Sequence, residues 1–186
     1  MSATQDRSDI ERARRGDRRA FGALVTRHRD WVYGFACRML GDREEALDAA
    51  QEAFLRVWTA LEGFDVSRPF RPWLLAITAN VCTDLLRRRR EQVSLDDRAA
   101  AQAPADPAPS PHQQVAARQT GERITAALVH LTDQQRLAVV LKHIQGLSYE
   151  EIAEMTGMPV NTIKSHVRRG RLKLVEVLGE MTEGGP

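Results

Sequence analysis

Residues 146–171 read GLSYEEIAEMTGMPVNTIKSHVRRGR, and the spacing of their caps and apolar side chains decides the fold of the C-terminal third. Ser148 and Glu151 have the spacing of a capping box, which predicts a short helix burying Ile152, Ala153 and Met155. Gly157 permits a left-handed turn. Pro159 suits the first turn of a new helix, where its missing N–H is not needed. That helix keeps Val160, Ile163 and Val167 on one face and puts Asn161, Thr162, Lys164, Ser165, Arg168 and Arg169 on or near the other. An apolar inner face with a donor-rich outer one suits a helix lying in a DNA major groove, where Arg and Lys read guanine or hold phosphate and Asn reads adenine. The plain alternative is a surface helix with basic decoration. A helix, a glycine turn and a basic second helix in this order favour DNA binding.

The same periodicity extends towards the N-terminus. Ile124, Ala127, Leu128 and Leu131 mark one helix, Thr132 and Gln135 offer a capping box, and Leu137, Val140, Leu141 and Ile144 mark the next, which Gly146 stops. Residues 92–117 differ in character. They are rich in Ala, Gln and Asp and hold Pro104, Pro107, Pro109 and Pro111, so they bury too little apolar surface to offset their ordering entropy and read as a flexible linker. Before them, Phe21, Leu24, Val25, Val32, Phe35, Ala36, Met39 and Leu40 form an amphipathic helix ended by Gly41. A second helix has a core stripe through Leu47, Phe54 and Trp58 and ends at Gly63, and a third runs from about Trp73 to Arg90 around Leu74, Ile77, Val81 and Leu85. No period-two strand pattern occurs. The expected class is all-α, with two small helical domains (1–91 and 118–186) joined by the 92–117 linker.

Composition agrees with a globular protein: of 186 residues, 42% are hydrophobic and 28% charged. No apolar run reaches the roughly 20 residues of a membrane span, so no membrane insertion is expected, and Met1 to Arg19 are polar and charged, unlike a signal peptide. A cytoplasmic location follows as an expectation. Cys37 and Cys82 each sit in an apolar helical pattern and read as buried thiols, with a disulfide or a metal pair as the lesser alternative. Net charge is only +2, but its distribution is uneven. Asp42, Glu44, Glu45, Asp48 and Glu52 form an acidic stretch, Arg87 to Arg90 an unbroken basic run, and Lys164 to Lys173 a second basic block. One acidic and two basic surfaces suggest one protein partner and two nucleic-acid contacts, against the bland reading of solvated faces.

On a helical wheel Asp48, Gln51, Glu52 and Leu55 cluster about a quarter turn from the second helix's core stripe, an exposed leucine among carboxylates and an amide. The stretch from Asp42 to Trp58, DREEALDAAQEAFLRVW, resembles the core-polymerase-binding helix of sigma-70 family proteins. Phe70 to Asn80, FRPWLLAITAN, with Asp84 to Arg90, DLLRRRR, is similar to the family's promoter-melting and minus-ten segment, and GLSYEEIA with VNTIKS to its minus-thirty-five reader. Only two of the family's domains are present, as in its compact extracytoplasmic-function type. The resemblance implies that Asp48, Gln51, Glu52 and Leu55 dock on core RNA polymerase. It implies that Trp73, Ala76, Asn80, Asp84, Arg87 and Arg88 face minus-ten promoter DNA, with Asp65, Ser67 and Arg68 in the loop that receives a flipped base. It assigns the minus-thirty-five contacts to Pro159, Asn161, Thr162, Lys164, Ser165, His166, Arg168 and Arg169. It further implies an anti-sigma protein as a partner. Asn161, His166 and Gly170 depart from the family's common glycine, arginine and alanine. A linker of about 25 residues spans at most roughly 80 Å, and elements some 17 base pairs apart are separated by about 60 Å.

Two other classes compete with this reading. A two-domain helix-turn-helix regulator would bind an operator without polymerase. An enzyme finds no support: His28, His112, His130, His143 and His166 have no metal-ligand spacing, no phosphate loop or nucleophile motif occurs, and neither a metal nor a cofactor is expected. His28 reads as a half-buried structural residue.

Overall fold

The computed structural model describes residues 3–95 and 114–183, and all regular structure among them is helical. Eight helices follow in order: α1 (Ala3–Arg14), α2 (Arg18–Leu40), α3 (Arg43–Ala60), α4 (Phe70–Leu95), α5 (Gln114–Leu128), α6 (Asp133–Val139), α7 (Tyr149–Thr156) and α8 (Val160–Glu183). A 3-10 turn at Leu61–Gly63 follows α3, and a π-helical stretch at Val140–Ile144 continues α6.

Local chemistry sets the N-terminal helices. The Asp17 side chain accepts from the N–H groups of Arg19 and Ala20 at 2.9 and 3.1 Å and starts α2. Gly41, at φ 76°, ends it, and Asp42 at once caps α3 through Glu44 and Glu45. Two adjacent residues thus make the α2–α3 hairpin. Leu24, Val32, Phe35, Ala36 and Met39 of α2 meet Ala46, Ala49, Ala53 and Val57 of α3 and Leu74, Leu75, Val81 and Cys82 of α4, all 2% exposed or less. The alanines let α3 lie close. Each fully buried large aliphatic side chain contributes about 1.5–3 kcal/mol.

Several expectations change here. The N-terminal arm contains a helix: α1 packs on α2 through Ile10 and Ala13, while Asp6 and Asp9 carry the rest of the contact. Arg27 bonds Asp6 at 2.5 Å and Asp9 at 2.7 Å, and His28 Nε2 lies 3.1 Å from Asp6. His28 is fully buried rather than half-buried, at 5% exposure against the Phe70 ring. Among its described side chains α1 buries two apolar anchors, and charge adds to its hold, which hydrophobic periodicity does not report. On α3 the core stripe runs through the alanines, so Leu47 (52% exposed) and Trp58 (38%) lie outside it. Helix α4 starts at Phe70, with Pro72 in its first turn, and buries Leu86 while Leu85 is half-buried. Helix α4 reaches Leu95 and α5 begins at Gln114, at either end of the expected linker; its residues 96–113 lie outside the described residues.

In the C-terminal domain both capping boxes form, at Thr132–Gln135 and Ser148–Glu151. Ile152 is buried, whereas Ala153 and Met155 are only partly so and pack at the margin of the core. Ile163 and Val167 seat α8 against Ala138 to Leu141. A Cβ on Gly170 would lie 2.7 Å from Val139 Cγ2, so the glycine lets α8 approach α6. Ile124 and Ile144 are 39% and 37% exposed, at the margin of this core.

Candidate protein and nucleic-acid interfaces

Helix α3 presents Asp48, Gln51 and Leu55 to solvent, with Glu52 partly buried beside them. Leu55 is 63% exposed and Leu47, on the same helix, 52%, so among the described residues these apolar side chains stand uncovered beside carboxylates. Arg56, to which the sequence reading gave no role, bonds Glu52 Oε1 at 2.8 Å and reaches Asp84 Oδ2 of α4 at 3.4 Å. These two carboxylates raise the Arg56 pKa, Glu52 most strongly. Asp84 in turn accepts from Arg87 at 3.3 Å. The chain Glu52–Arg56–Asp84–Arg87 therefore joins the acidic face of α3 to the basic end of α4, a link between helices that sequence spacing cannot display.

The loop before α4 is preorganised. Asp65 accepts from the Ser67 N–H at 2.9 Å, and its backbone carbonyl accepts from the Arg68 N–H at 3.0 Å. Ser67's hydroxyl, and then its N–H, hold the Asp65 carboxyl below its ordinary pKa. Asp65, Ser67 and Arg68 are exposed. Behind them Phe64, Phe70 and Trp73 form an aromatic wall, with Phe64 and Trp73 centroids 4.5 Å apart. Trp73 is partly buried in that wall. Along α4, Asn80, Arg87 and Arg88 are exposed and Ala76 and Asp84 half-exposed.

Pro159, just ahead of α8, and Asn161, Thr162, Lys164, Arg168 and Arg169 on it are exposed, and Ser165 and His166 are partly buried. His166 stands aside from the others. Its Nδ1 is buried without a hydrogen-bond partner among the described residues, and burial, with Arg169 adding to it, lowers its pKa. Lys164 Nζ lies 5.6 Å from the Tyr149 ring of α7, which also receives Lys142. The open N-terminal turns of α8 are thus a cationic surface on a helix fixed by Ile163 and Val167.

Cys37 and Cys82 are both free thiols. Burial pushes Cys82 up to about 12, and it raises Cys37 less, where a hydrogen bond with Tyr33 opposes it. Among the described residues no group of three or more His, Cys, Asp or Glu side chains is placed to hold a metal ion, and no helix is long and apolar enough to cross a membrane.

A helix-turn-helix in the C-terminal part, and an acidic face beside a basic helix in the N-terminal part, define a two-part all-helical DNA-binding protein. Residues 24–92 match the family model described as Sigma-70 region 2, and residues 121–174 match Sigma-70, region 4. The chain is 34% identical to the ECF RNA polymerase sigma factor SigW of Bacillus subtilis over 92% of its own length and 96% of that protein's. It is 37% identical to the RNA polymerase sigma factor CnrH of Cupriavidus metallidurans, covering 96% of both chains. Its structure is similar to that of CnrH in complex with the cytosolic domain of CnrY, at TM-score 0.65 and 31% identity over 95% of this chain and 98% of that one. It is also similar to the sigma factor RpoE in complex with the anti-sigma factor NepR from Bartonella quintana, at TM-score 0.68 and 26% identity over 86% and 96%. The chain belongs to the ECF sigma factors of the sigma-70 family.

Proposed function

We propose that the protein binds core RNA polymerase and directs it to promoters, where it assists DNA melting and the start of transcription, without catalysis of its own. Asp48, Gln51, Glu52 and Leu55 form the polymerase-docking face. Asp65, Ser67, Arg68, Trp73, Ala76, Asn80, Asp84, Arg87 and Arg88 hold minus-ten DNA, and the first turns of α8, from Pro159 to Arg169, hold the minus-thirty-five element. The observation that carries this division is the exposed Leu55 among acids on α3, next to a basic α4 surface and tied to it through Arg56. Acidic and apolar groups suit a basic protein helix and repel DNA; the arginines do the reverse.

Two domains are proposed, 1–91 and 118–186, with a linker between them that lets each reach its own promoter element. The protein acts in the cytoplasm, where polymerase and chromosome are. An anti-sigma partner covers the same faces; this rests on CnrH and RpoE, whose structures were solved with CnrY and with the anti-sigma factor NepR. The second reading, a helix-turn-helix regulator independent of polymerase, leaves the exposed α3 face without a purpose.

Run-off transcription with purified bacterial core enzyme and a library of promoter fragments tests the proposal. Specific transcripts that need both protein and core enzyme are expected. Tight operator binding by the protein alone, with no transcripts, would favour the regulator.

A further inference from the structure

The buried ion network of α1 is connected, ring by ring, to the loop before α4. Asp6 and Asp9, at 9% and 2% exposure, take the Arg27 guanidinium between them, and Asp6 also takes His28. A carboxylate only accepts, so His28 Nε2 carries the hydrogen of the 3.1 Å contact, and the bond fixes the orientation of the ring. That ring packs on Phe70, the first residue of α4, with centroids 5.3 Å apart. Phe70 in turn meets Phe64 at 5.9 Å and Trp73 at 5.8 Å. Helix α1 also packs beside the turn Leu61–Gly63, where the Leu61 carbonyl accepts from the Phe64 N–H at 3.2 Å. Both ends of the loop 64–69 therefore rest on elements that α1 touches, while Asp65, Ser67 and Arg68 between them stay exposed.

Adhesion alone does not call for such a network. Taking two carboxylates, a guanidinium and an imidazole out of water costs desolvation that apolar side chains of similar size avoid, so buried ion pairs are poor glue. What they supply is fixed geometry, because charged hydrogen bonds hold their partners in one orientation. We infer that Asp6, Asp9 and His28 are positioning residues for the loop 64–69, setting through Phe70 the aromatic wall against which an extruded minus-ten base is received. The inference rests on the proposed reading of that loop. Asp6 and Asp9 are buried, so their part in promoter recognition is transmitted through His28 and Phe70 and not by contact with DNA. A pocket that captures a base needs such support to keep its shape.

The test is a double-mutant cycle between the network and the base. Holoenzyme formed with wild type, or with Asp6→Asn and Asp9→Asn together, binds fluorescent non-template-strand oligonucleotides. These carry the minus-ten element of the strongest promoter found by run-off transcription, intact or with one position at a time made abasic. In wild type the costliest abasic position should be the one whose base enters the loop. The variant should bind the intact strand about tenfold more weakly, because a loosened support misplaces the pocket. On the strand abasic at that position the two proteins should agree within about twofold. A merely structural network predicts the same loss on both strands, so a deficit undiminished on the abasic strand overturns the inference. Equal binding of the intact strand overturns it as well. His28→Ala removes the ring between Asp6 and Phe70 and should give the same pattern with both acids in place; wild-type binding by this variant overturns the route through Phe70.

Hydrogen exchange of the full-length chain without polymerase decides the support independently of any promoter. With Asp6→Asn and Asp9→Asn, peptides from 61–73 should exchange at least about tenfold faster than in wild type, while those of α7 and α8 keep the wild-type rate. Wild-type exchange at 61–73, or the same acceleration across α7 and α8, overturns the positioning role. If wild-type holoenzyme is indifferent to every abasic position, the base-receiving reading of the loop falls together with the use drawn from it, whereas faster exchange at 61–73 still places the network in support of the loop.

Discussion

The guanidinium of Arg136 on α6 donates to the carbonyl of Met39 at the end of α2, and the residue is only 5% exposed. Burial lowers its pKa, with Asp133 opposing, yet an arginine stays charged, so among the described residues the cation's hydrogen bonds all go to backbone oxygens. Arg136→Met retains the aliphatic stem and leaves those carbonyls without their donor. At about 1–3 kcal/mol for each buried group left unsatisfied, partly relieved by relaxation, the loss should be about 3 kcal/mol. Urea denaturation of the two proteins measures it.

Charge reversal at Asp48 and Glu52 (Asp48→Arg, Glu52→Arg) should weaken binding to core polymerase at least tenfold, about 1.4 kcal/mol or more. The helical circular dichroism should not change. Glu52→Arg also sets two arginines four residues apart, which costs only a few tenths of a kcal/mol. Unchanged affinity in a pull-down would remove α3 as the docking element.

Lys164→Ala with Arg168→Ala removes two exposed cations from α8. Binding to minus-thirty-five DNA should weaken, and the slope of log affinity against log salt should flatten by about two. Anisotropy titrations at several salt concentrations give both. A slope equal to wild type would mean that neither side chain meets phosphate.

Gly170→Ala improves helix propensity by about 1 kcal/mol but drives a methyl to 2.7 Å from Val139 Cγ2. Val139 is β-branched and 4% exposed, so it has little room to turn away. The clash should win, with a net loss of about 1–2 kcal/mol. A raised Tm would show that α8 can move off α6 at no cost.

Ser148→Ala breaks the capping box of α7 and should cost about 1 kcal/mol. The Ser148 N–H, and then its hydroxyl, hold the Glu151 carboxyl below its ordinary pKa of 4.5. A carboxylate with a depressed folded pKa stabilises the fold above its unfolded pKa, and that contribution fades as pH falls through the folded value. In the variant the carboxyl should titrate closer to 4.5, and the difference in stability between the two proteins should shrink in acid. NMR titration of Glu151 and melting curves at several pH values check both parts.

Much of this was readable from the sequence because local rules govern it. Capping boxes at Thr132 and Ser148, glycine stops at Gly41 and Gly157, and the face shared by Ile163 and Val167 all depend on residues within one or two turns. What escaped depends on distant partners. Helix α1 is held by Asp6 and Asp9 reaching Arg27 and His28, some twenty residues on. Leu47 and Trp58 read as core by period, but the alanines of α3 allow a closer approach on the adjacent face and leave both outside. Arg56 acquires its link to Asp84 only when α3 and α4 lie side by side, and the partial burial of His166 depends on what packs beside α8.

The charge clasp on α1 also sets a practical limit on how the protein can be trimmed. The family pattern begins at residue 24, and a fragment cut there keeps every apolar residue of α2 from Leu24 onward. Such a fragment lacks Asp6 and Asp9 and so strands Arg27, whose side chain is 16% exposed in the whole protein, without the two acids that neutralise it. Homology alone would pass that boundary as safe, whereas the ionic geometry places the true edge of the folding unit before Asp6.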